Sequence, residues 1–425
     1  MSGFDAQVLV VGGGPAGAST AWHLARAGVD ALVLDRARFP RDKTCAECLS
    51  PEASRLLHAM GVLARLETVG AQLAGMLVRA PSGDVIRGDY AADHGWRAFR
   101  DRGLAVPRRL LDATLLDAAR HAGARVLEGT RVTDVLRDAH GRACGVRVLG
   151  ADGAPRELHA PWIVGADGLR SVVSRRLGLA RTRRWPRRLA LVAHWRGVRG
   201  IGTHGEMHVE RDGFVGLADV GGGVTNSSLV VPAREGARIA GDPGAYLDAW
   251  LRRHPQLAPR FAGAEHVDVV RATGPFAAMA RRAWAPGAAL VGDAADFFDP
   301  FTGEGVYAAL RGGELLAPFL LEAIDAPSAR ADRVLSRYDA ARRRTFGGKW
   351  TVERCIGLAA DVPFAFDRAA RVLSRRRDLA DLLVGVAGDF VPPSAVLNAR
   401  YLWQLFVSGH REASLDNRVP SPDPR

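Results

Sequence analysis

A glycine-rich turn between an apolar run and a helical pattern constrains this chain more than any other feature. Residues 7–11 consist of Gln7 and four consecutive apolar residues, a pattern that is typical of a buried parallel strand. The turn that begins at Gly12 and ends at Gly17 follows, then a helical pattern over residues 18–26 and a second strand over 31–34 that ends at Asp35. This is the G-x-G-x-x-G pattern with its strand, helix and downstream acidic residue, so we predict a dinucleotide-binding βαβ unit.

Each residue type in this unit has a physical reason to be there. Gly12 permits the tight turn, Gly14 lets backbone amides approach a pyrophosphate, and Gly17 lets the helix pack closely on the strand. The N-terminus of the helix favours phosphate charge, and the Asp35 carboxylate can accept hydrogen bonds from a ribose diol. The residues predicted to bind the nucleotide half of a cofactor are Gly12, Gly14, Pro15, Ala16, Gly17 and Asp35.

Composition narrows the class of protein. A chain of 425 residues is long enough for two or three joined units. The net charge of +12 comes almost wholly from arginine, but the arginine clusters are scattered and not interleaved with aromatic residues, so nucleic acid is not a predicted partner. Four cysteines are too few for a disulfide scaffold, and neither a signal peptide nor a transmembrane segment is recognisable, so we expect a cytoplasmic protein.

Two later segments identify the dinucleotide. Residues 162–171 read as a strand that ends in Asp167-Gly168 before a helix, and residues 288–305 read as a strand that ends in Gly292-Asp293 before a loop and another helix. With these three motifs in order, residues 5–345 resemble the FAD-dependent oxidoreductases that include the group A flavoprotein monooxygenases and the geranylgeranyl reductases.

The resemblance implies an α/β fold with three parts. A Rossmann-like FAD-binding domain of the GR2 type would comprise residues 1–80, 100–180 and 275–345. An antiparallel β-sheet substrate domain would take in residues 81–99 and 181–274, with strands at 189–198, 206–210, 214–220 and 224–231. A helical C-terminal region would occupy 346–413, followed by a flexible tail at 414–425.

The resemblance also implies further cofactor contacts. Arg36 would lie beside the adenine, and Arg108, or the adjacent Arg109, would lie near the cofactor. Asp293 would bind the ribityl and pyrophosphate region, and NAD(P)H would be the hydride donor. The Asp167 motif departs from the family because Ser174 stands where arginine is usual, three residues after Ser171. The remaining residues assigned to the cofactor by the resemblance are Asp167, Gly292, Pro300, Gly303, Glu304 and Gly305.

Cys45 and Cys48 are the candidate catalytic residues. Cys45 takes the place of a cysteine that lies near the flavin ring in the reductase branch, so it is also a candidate cofactor contact. A thiol beside a flavin can supply a proton donor, a redox-active pair or a covalent attachment point. The alternative is that both cysteines are small apolar fillers. A metal site is not predicted, since no second C-x-x-C or paired histidine cluster completes a ligand set.

The sequence is compatible with more than one flavin-dependent reaction. We expect an NAD(P)H-dependent monooxygenase that hydroxylates or epoxidises a bulky apolar secondary metabolite, because the Tyr-x-Trp-x-Phe-Pro signature of geranylgeranyl reductases is missing near residues 213–219. The close alternative is a flavin-dependent C=C reductase, which the Cys45 segment and residues 300–305 favour. A halogenase or a non-catalytic protein on the same fold is less favoured. A partner flavin reductase is compatible with the sequence, which leaves the oligomeric state open.

Overall fold

The computed structural model describes residues 4–182, 187–276, 278–297, 301, 303, 305–360 and 362–406. Strands occur throughout the first 290 residues. They are β1 (Val8–Val11), β2 (Ala31–Leu34), β3 (Cys48–Leu49), β4 (Ala71–Leu73), β5 (Gly75–Arg79), β6 (Val85–Asp89), β7 (Gly103–Ala105), β8 (Arg125–Leu127), β9 (Arg131–Arg137), β10 (Ala143–Leu149), β11 (Pro155–His159), β12 (Trp162–Gly165), β13 (Ala180–Thr182), β14 (Arg188–Arg196), β15 (His204–Glu210), β16 (Gly213–Asp219), β17 (Val224–Pro232), β18 (Glu265–His266), β19 (Arg271–Phe276), β20 (Ala278–Ala280), β21 (Trp284–Ala285) and β22 (Ala288–Leu290).

Helices alternate with the early strands and dominate the C-terminal part of the chain. They are α1 (Pro15–Arg26), α2 (Pro51–Ala59), α3 (Leu63–Glu67), α4 (Arg108–His121), α5 (Val172–Arg176), α6 (Gly236–Gly241), α7 (Pro243–Arg253), α8 (Ala258–Phe261), α9 (Gly305–Ile324), α10 (Ser328–Ala360), α11 (Pro363–Arg375), α12 (Arg377–Ala387) and α13 (Ala399–Phe406).

The first sheet has the order β21-β22-β12-β1-β2-β8, and all its pairs are parallel except β21–β22. Its central strands β1, β2 and β12 are buried along their whole length. Helices α1 and α9 lie beside this sheet and pack closely against each other. The strand positions at 8–11, 31–34, 162–165 and 288–290 confirm the prediction from the apolar runs. The three predicted motifs therefore end on adjacent strands at one edge of this sheet.

A second sheet of eight strands lies apart from the first. Its order is β18-β14-β17-β16-β15-β5-β6, with β19 paired to β14, and every pair is antiparallel except β15–β5. The four strands predicted between residues 189 and 231 are all present, with bounds shifted by one or two residues. The sheet also takes in residues 75–79, which the predicted division assigned to the FAD-binding part, because β5 pairs with both β15 and β6.

The C-terminal helices cover this second sheet. Apolar residues of α11, α12 and α13 share one buried cluster with residues of β6, β15, β16 and β17 and with Phe301. The α/β fold class, the separate antiparallel sheet and the helical C-terminal region are therefore as the sequence predicted. Along the described stretches, none of the helices is long and apolar enough to cross a membrane. The predicted tail at 414–425 lies outside the described residues.

Candidate flavin site

The glycine turn after β1 leaves no room for a side chain at Gly12 or at Gly17. Gly12 has φ +105°, and a Cβ there would overlap the carbonyl oxygen of Ala166. A Cβ on Gly17 would overlap the carbonyl oxygen of Gly12. The space above Gly14 is open, since the nearest atom to a Cβ there is an Arg41 nitrogen at 3.5 Å. The turn thus brings backbone amides to a surface that a ligand can approach closely.

Asp35 lies at the end of β2 and holds this turn in place. Its Oδ2 accepts a hydrogen bond of 2.7 Å from the Gly13 amide, and its Oδ1 accepts one of 2.8 Å from the Ala37 amide. Each carboxylate oxygen keeps a second lone pair, so the side chain can still accept bonds from ribose hydroxyls. Arg36, predicted to lie beside the adenine, is exposed next to it.

Arg41 is a site residue that the sequence motifs did not indicate. No side chain caps helix α1, whose N-cap is Gly14, so its first amides face outward with Pro15 and Ala16 in the first turn. Arg41 lies beside this helix end, where it forms an ion pair of 2.9 Å with Asp112. A guanidinium and a helix N-terminus together favour a pyrophosphate.

The second motif lies directly against the first. The carbonyl oxygen of Ala166 is the atom that a Gly12 side chain would overlap, so the two turns are in contact. Asp167 Oδ2 accepts bonds of 2.6 and 3.3 Å from the first amides of α5. Its Oδ1 is buried and, within the described part of the chain, has no hydrogen-bond partner. Burial raises the pKa of Asp167, against these hydrogen bonds. Ser174 is also buried there, and its amide donates to Ser171.

The third motif lies on the other side of the space above the glycine turn. We call the space between the three motifs the cleft. Gly292 has φ +61°, and a Cβ there would lie 2.8 Å from the Cβ of Ala16, so the loop after β22 packs on the start of α1. Burial raises the pKa of Asp293, against the attraction of Lys43 and Arg108. Burial likewise lowers the pKa of Lys43, against the attraction of Asp293. The Asp293 carboxyl and the Lys43 amine are thus near enough to affect each other electrostatically.

The glycine loop that follows is only partly described. Gly303 has φ +73° and Gly305 is the first residue of α9, so a left-handed glycine leads directly into a helix N-terminus. Pro300 and Glu304, which the resemblance assigns to the cofactor, lie outside the described residues.

Cys45 lies in the cleft beside Arg108. Arg108 is buried, and its guanidinium forms a bidentate ion pair with Asp112 at 2.7 Å for both bonds. Burial raises the pKa of the Cys45 thiol, against the hydrogen bond and positive charge of Arg108. The thiol is therefore protonated at neutral pH, with a cation in place to stabilise a thiolate.

Cys48 has different surroundings. It lies on β3, opposite Ala105 of β7, and packs against a separate apolar cluster that contains Leu73 and Tyr90. Both cysteines are free thiols. These contacts agree with the apolar-filler interpretation of Cys48, and its catalytic role stays a prediction.

A buried network under Cys45 was not foreseen from the sequence. Glu47 adopts φ +64°, a conformation that costs a non-glycine residue about 1 kcal/mol or more. Its Oε1 accepts a bond of 2.6 Å from the Arg108 amide, and its Oε2 accepts 2.9 and 2.7 Å bonds from Asn226 and His194. Asn226 also donates to the Cys45 carbonyl at 3.0 Å. The Cys45 segment is thereby attached to strands β14 and β17 of the second sheet.

His194 forms the outer part of this network. Its second ring nitrogen lies 3.0 Å from Asp268, which in turn accepts a 2.7 Å bond from Arg271. Burial opposes the charged form of the imidazole, but the hydrogen bonds and charges of Glu47 and Asp268 raise the pKa of His194 to about 9. An imidazolium therefore lies between two carboxylates where the sheet meets the cleft. Sequence spacing could not reveal this, because the residues lie up to 221 positions apart.

Comparison with known proteins settles the family. The model of the family described as "FAD binding domain" matches residues 5–349. This chain belongs to that family. It is an FAD-dependent oxidoreductase, as the three motifs predicted.

Relatives span nearly the whole chain. A menaquinone reductase of Mycobacterium tuberculosis is 31% identical over 409 residues, which are 91% of this chain and 92% of the relative. A digeranylgeranylglycerophospholipid reductase of Methanopyrus kandleri is 31% identical over 350 residues, 80% of this chain and 83% of the relative. Among solved structures, the myxobacterial chondrochloren halogenase, an FAD-dependent halogenase, is 26% identical with a TM-score of 0.74, and 81% of each chain is covered.

The residues present fit FAD. The side-chain-free turn at Gly12, Gly14 and Gly17, the Asp35 carboxylate and the open N-terminus of α1 suit the ADP half. Arg41 suits the pyrophosphate, and the Asp293 region suits the ribityl chain and ring.

Proposed function

We propose that this protein is an FAD-dependent reductase that saturates a C=C bond in a polyprenyl lipid. The observation that carries the proposal is a protonated thiol, Cys45, beside the buried cation of Arg108 in the flavin cleft. A thiol that keeps its proton near neutral pH can donate that proton to a carbon of a C=C bond as the other carbon accepts a hydride. Relatives named as reductases that span 80% or more of the chain support the same choice, although the Tyr-x-Trp-x-Phe-Pro signature is missing.

Each partner in the step has one task. FAD, when bound and reduced by NAD(P)H, supplies a hydride to one carbon of the double bond. Cys45 supplies the proton to the other carbon, so the bond gains two hydrogens and the sulfur becomes a thiolate. Arg108 stabilises this thiolate, and its pairing with Asp112 keeps the guanidinium at a fixed place. A proton from water then restores the thiol.

Glu47 and the second sheet fix the donor. Glu47 bonds both to the Arg108 amide and to His194, so the segment that carries Cys45 cannot shift relative to the sheet that bounds the substrate. Aromatic side chains pack together in the apolar cluster beside this sheet: the ring centroids of Phe214 and Phe301 lie 4.9 Å apart, as do those of Phe276 and Phe297. Such a wall suits an apolar chain and excludes water.

The test is to reduce the FAD-loaded protein anaerobically and mix it with a digeranylgeranylglycerophospholipid, whose C=C bonds are its only groups that reduced flavin could reduce. We expect acceptor-dependent flavin reoxidation in the wild type, a loss of at least about 100-fold in Cys45→Ser and little change in Cys48→Ser, because general acids contribute about 10²–10⁴-fold. Reduction by NADPH or NADH should be equal in all three proteins. Equal reoxidation in Cys45→Ser would refute the assigned role of the thiol.

Oxygen insertion into a bulky apolar metabolite, which the sequence narrowly favoured, is the second candidate. The aromatic wall supports it equally, because a dry pocket also protects reactive oxygen species from water. Reoxidation that requires oxygen and ignores unsaturated acceptors would favour this monooxygenase, with NAD(P)H or a partner flavin reductase as the source of electrons.

A further inference from the structure

The C-terminal helices expose a group of large apolar side chains that the fold does not use. Phe364 is 81% exposed at the start of α11, and Trp403 is 55% exposed on α13. We call this group the C-terminal apolar surface. It consists of Leu358, Val362, Phe364, Leu402, Trp403 and Phe406.

These side chains belong to one face. Arg368, one turn after Phe364 on α11, donates a 3.1 Å bond to the carbonyl of Phe406 at the end of α13. The opposite side of α13 is already used, since Tyr401 and Leu405 are buried and the Tyr401 hydroxyl donates to Leu379 at 3.0 Å. The exposed residues of α13 are thus the outer face of a helix whose inner face is packed.

The charge around this face is positive. Residues 363–377 contain five arginines and one carboxylate, Asp367; two of the arginines, Arg376 and Arg377, are paired with Asp378 and Asp89. Arg371 and Arg375, on the outside of α11, are exposed. Aromatic and aliphatic side chains beside exposed arginines are typical of helices that lie in the interface of an anionic lipid layer.

Helix α11 also connects this surface to the cleft. Phe366, two residues after Phe364, is buried, and its ring lies 6.3 Å from that of Phe301. Phe301 precedes the glycine loop at Gly303 by two residues and also contacts Phe214. Phe366, Phe301 and Phe214 thus form a continuous row of aromatic contacts from α11 to the loop before Gly303.

We propose that the C-terminal apolar surface docks on an anionic lipid bilayer and that the polyprenyl substrate enters the cleft from there. The docking part stands on the exposed residues and their charge, and the entry part rests on the proposed function. The occupant is a lipid surface rather than a second copy of the chain, because the arginines of two copies would repel each other.

Flotation of the FAD-loaded full chain with vesicles tests the docking. We expect binding to vesicles of phosphatidylcholine with 30% phosphatidylglycerol and much weaker binding to phosphatidylcholine alone. Phe364→Ser/Trp403→Ser should lower the bound-to-free ratio at least about tenfold. Arg371→Gln/Arg375→Gln should lower it about 25-fold at low salt, at about fivefold per arginine.

Phe4→Ser/Leu127→Ser is the matched control, since Phe4, which precedes β1, is 49% exposed and Leu127, on the edge strand β8 of the first sheet, is 44% exposed. It should bind vesicles like the wild type. Equal binding by the Phe364/Trp403 variant and the wild type would overturn the proposal. So would a dimer in light scattering that this variant converts to a monomer, because the surface would then belong to a second copy.

Turnover separates this proposal from the proposed function. Flotation needs neither reductant nor substrate, so docking can fail while a detergent-dispersed polyprenyl lipid is still reduced. If docking holds and no lipid is reduced, the proposed function fails and the docking surface stands. If both hold, the Phe364/Trp403 variant should lose activity only on vesicle-embedded substrate, and equal loss on dispersed substrate would overturn entry through this surface.

Discussion

Replacement of His194 by glutamine should remove a pH dependence of stability that the wild type shows. In the folded chain His194 lies 2.7 Å from Glu47 and 3.0 Å from Asp268, and its pKa is raised to about 9 from the ordinary 6.5. The folded state thus holds a proton that the unfolded chain releases above pH 6.5. The resulting stabilisation is fully present below pH 6.5 and is lost as the pH rises through 9.

The magnitude follows from the two pKa values. Their difference corresponds to about 3 kcal/mol, and solvent screening of the partly exposed imidazole and Asp268 reduces this to about 2 kcal/mol. The unfolding entropy of a chain of 425 residues is about 0.9 kcal/mol/K. The midpoint of thermal unfolding should therefore fall by about 2 °C more in the wild type than in His194→Gln between pH 6.5 and 9.5.

Thermal unfolding of the FAD-loaded proteins, followed by circular dichroism at several pH values, measures this difference. His140→Gln is the control, because that histidine is exposed in a turn, and it should keep the wild-type slope. An equal pH slope in the wild type and His194→Gln would refute the buried imidazolium, as would an ordinary His194 pKa measured by NMR.

Three further predictions concern the cofactor and the thiol. Gly17→Ala should abolish FAD retention, because the added methyl overlaps the Gly12 carbonyl, whereas Gly263→Ala, which adds a methyl in open space, should keep a full flavin absorbance per chain. Asp35→Ala should weaken FAD binding at least about tenfold in a fluorescence titration, since the Gly13 amide loses its acceptor, and unchanged affinity would contradict the role of Asp35. Cys45 should react with iodoacetamide only at a pH above the ordinary thiol range, and Arg108→Gln should raise that midpoint further, as mass spectrometry would show.

The FAD-binding part could be predicted because its constraints are local. Gly12 and Gly17 have no space for a side chain, and β1, α1 and β2 are contiguous in the chain, so a short pattern contains the whole unit. The strands of the second sheet were likewise visible as alternating or apolar runs bounded by glycines. The addition of β5 was missed because pairing with β15 joins residues more than a hundred positions apart, and no local pattern reports that.

The surroundings of Cys45 show more clearly what sequence patterns cannot predict. The sequence singled out the cysteine, but not Glu47, whose left-handed backbone and three bonds appear only in the folded chain. His194 lies on β14 and Asp268 lies in the segment between β18 and β19, so no sequence spacing relates them. Asp167 was expected to serve the cofactor, yet one of its oxygens caps α5, because the Asp-Gly turn leads directly into that helix.

The mass of the product tests the central claim most directly. The protein, NADPH and a digeranylgeranylglycerophospholipid are incubated with and without oxygen, and the lipid is analysed by high-resolution mass spectrometry. The account predicts a gain of two hydrogens per double bond, formed without oxygen and lost in Cys45→Ser. A gain of one oxygen atom, formed only in air, would contradict the reductase and establish the monooxygenase.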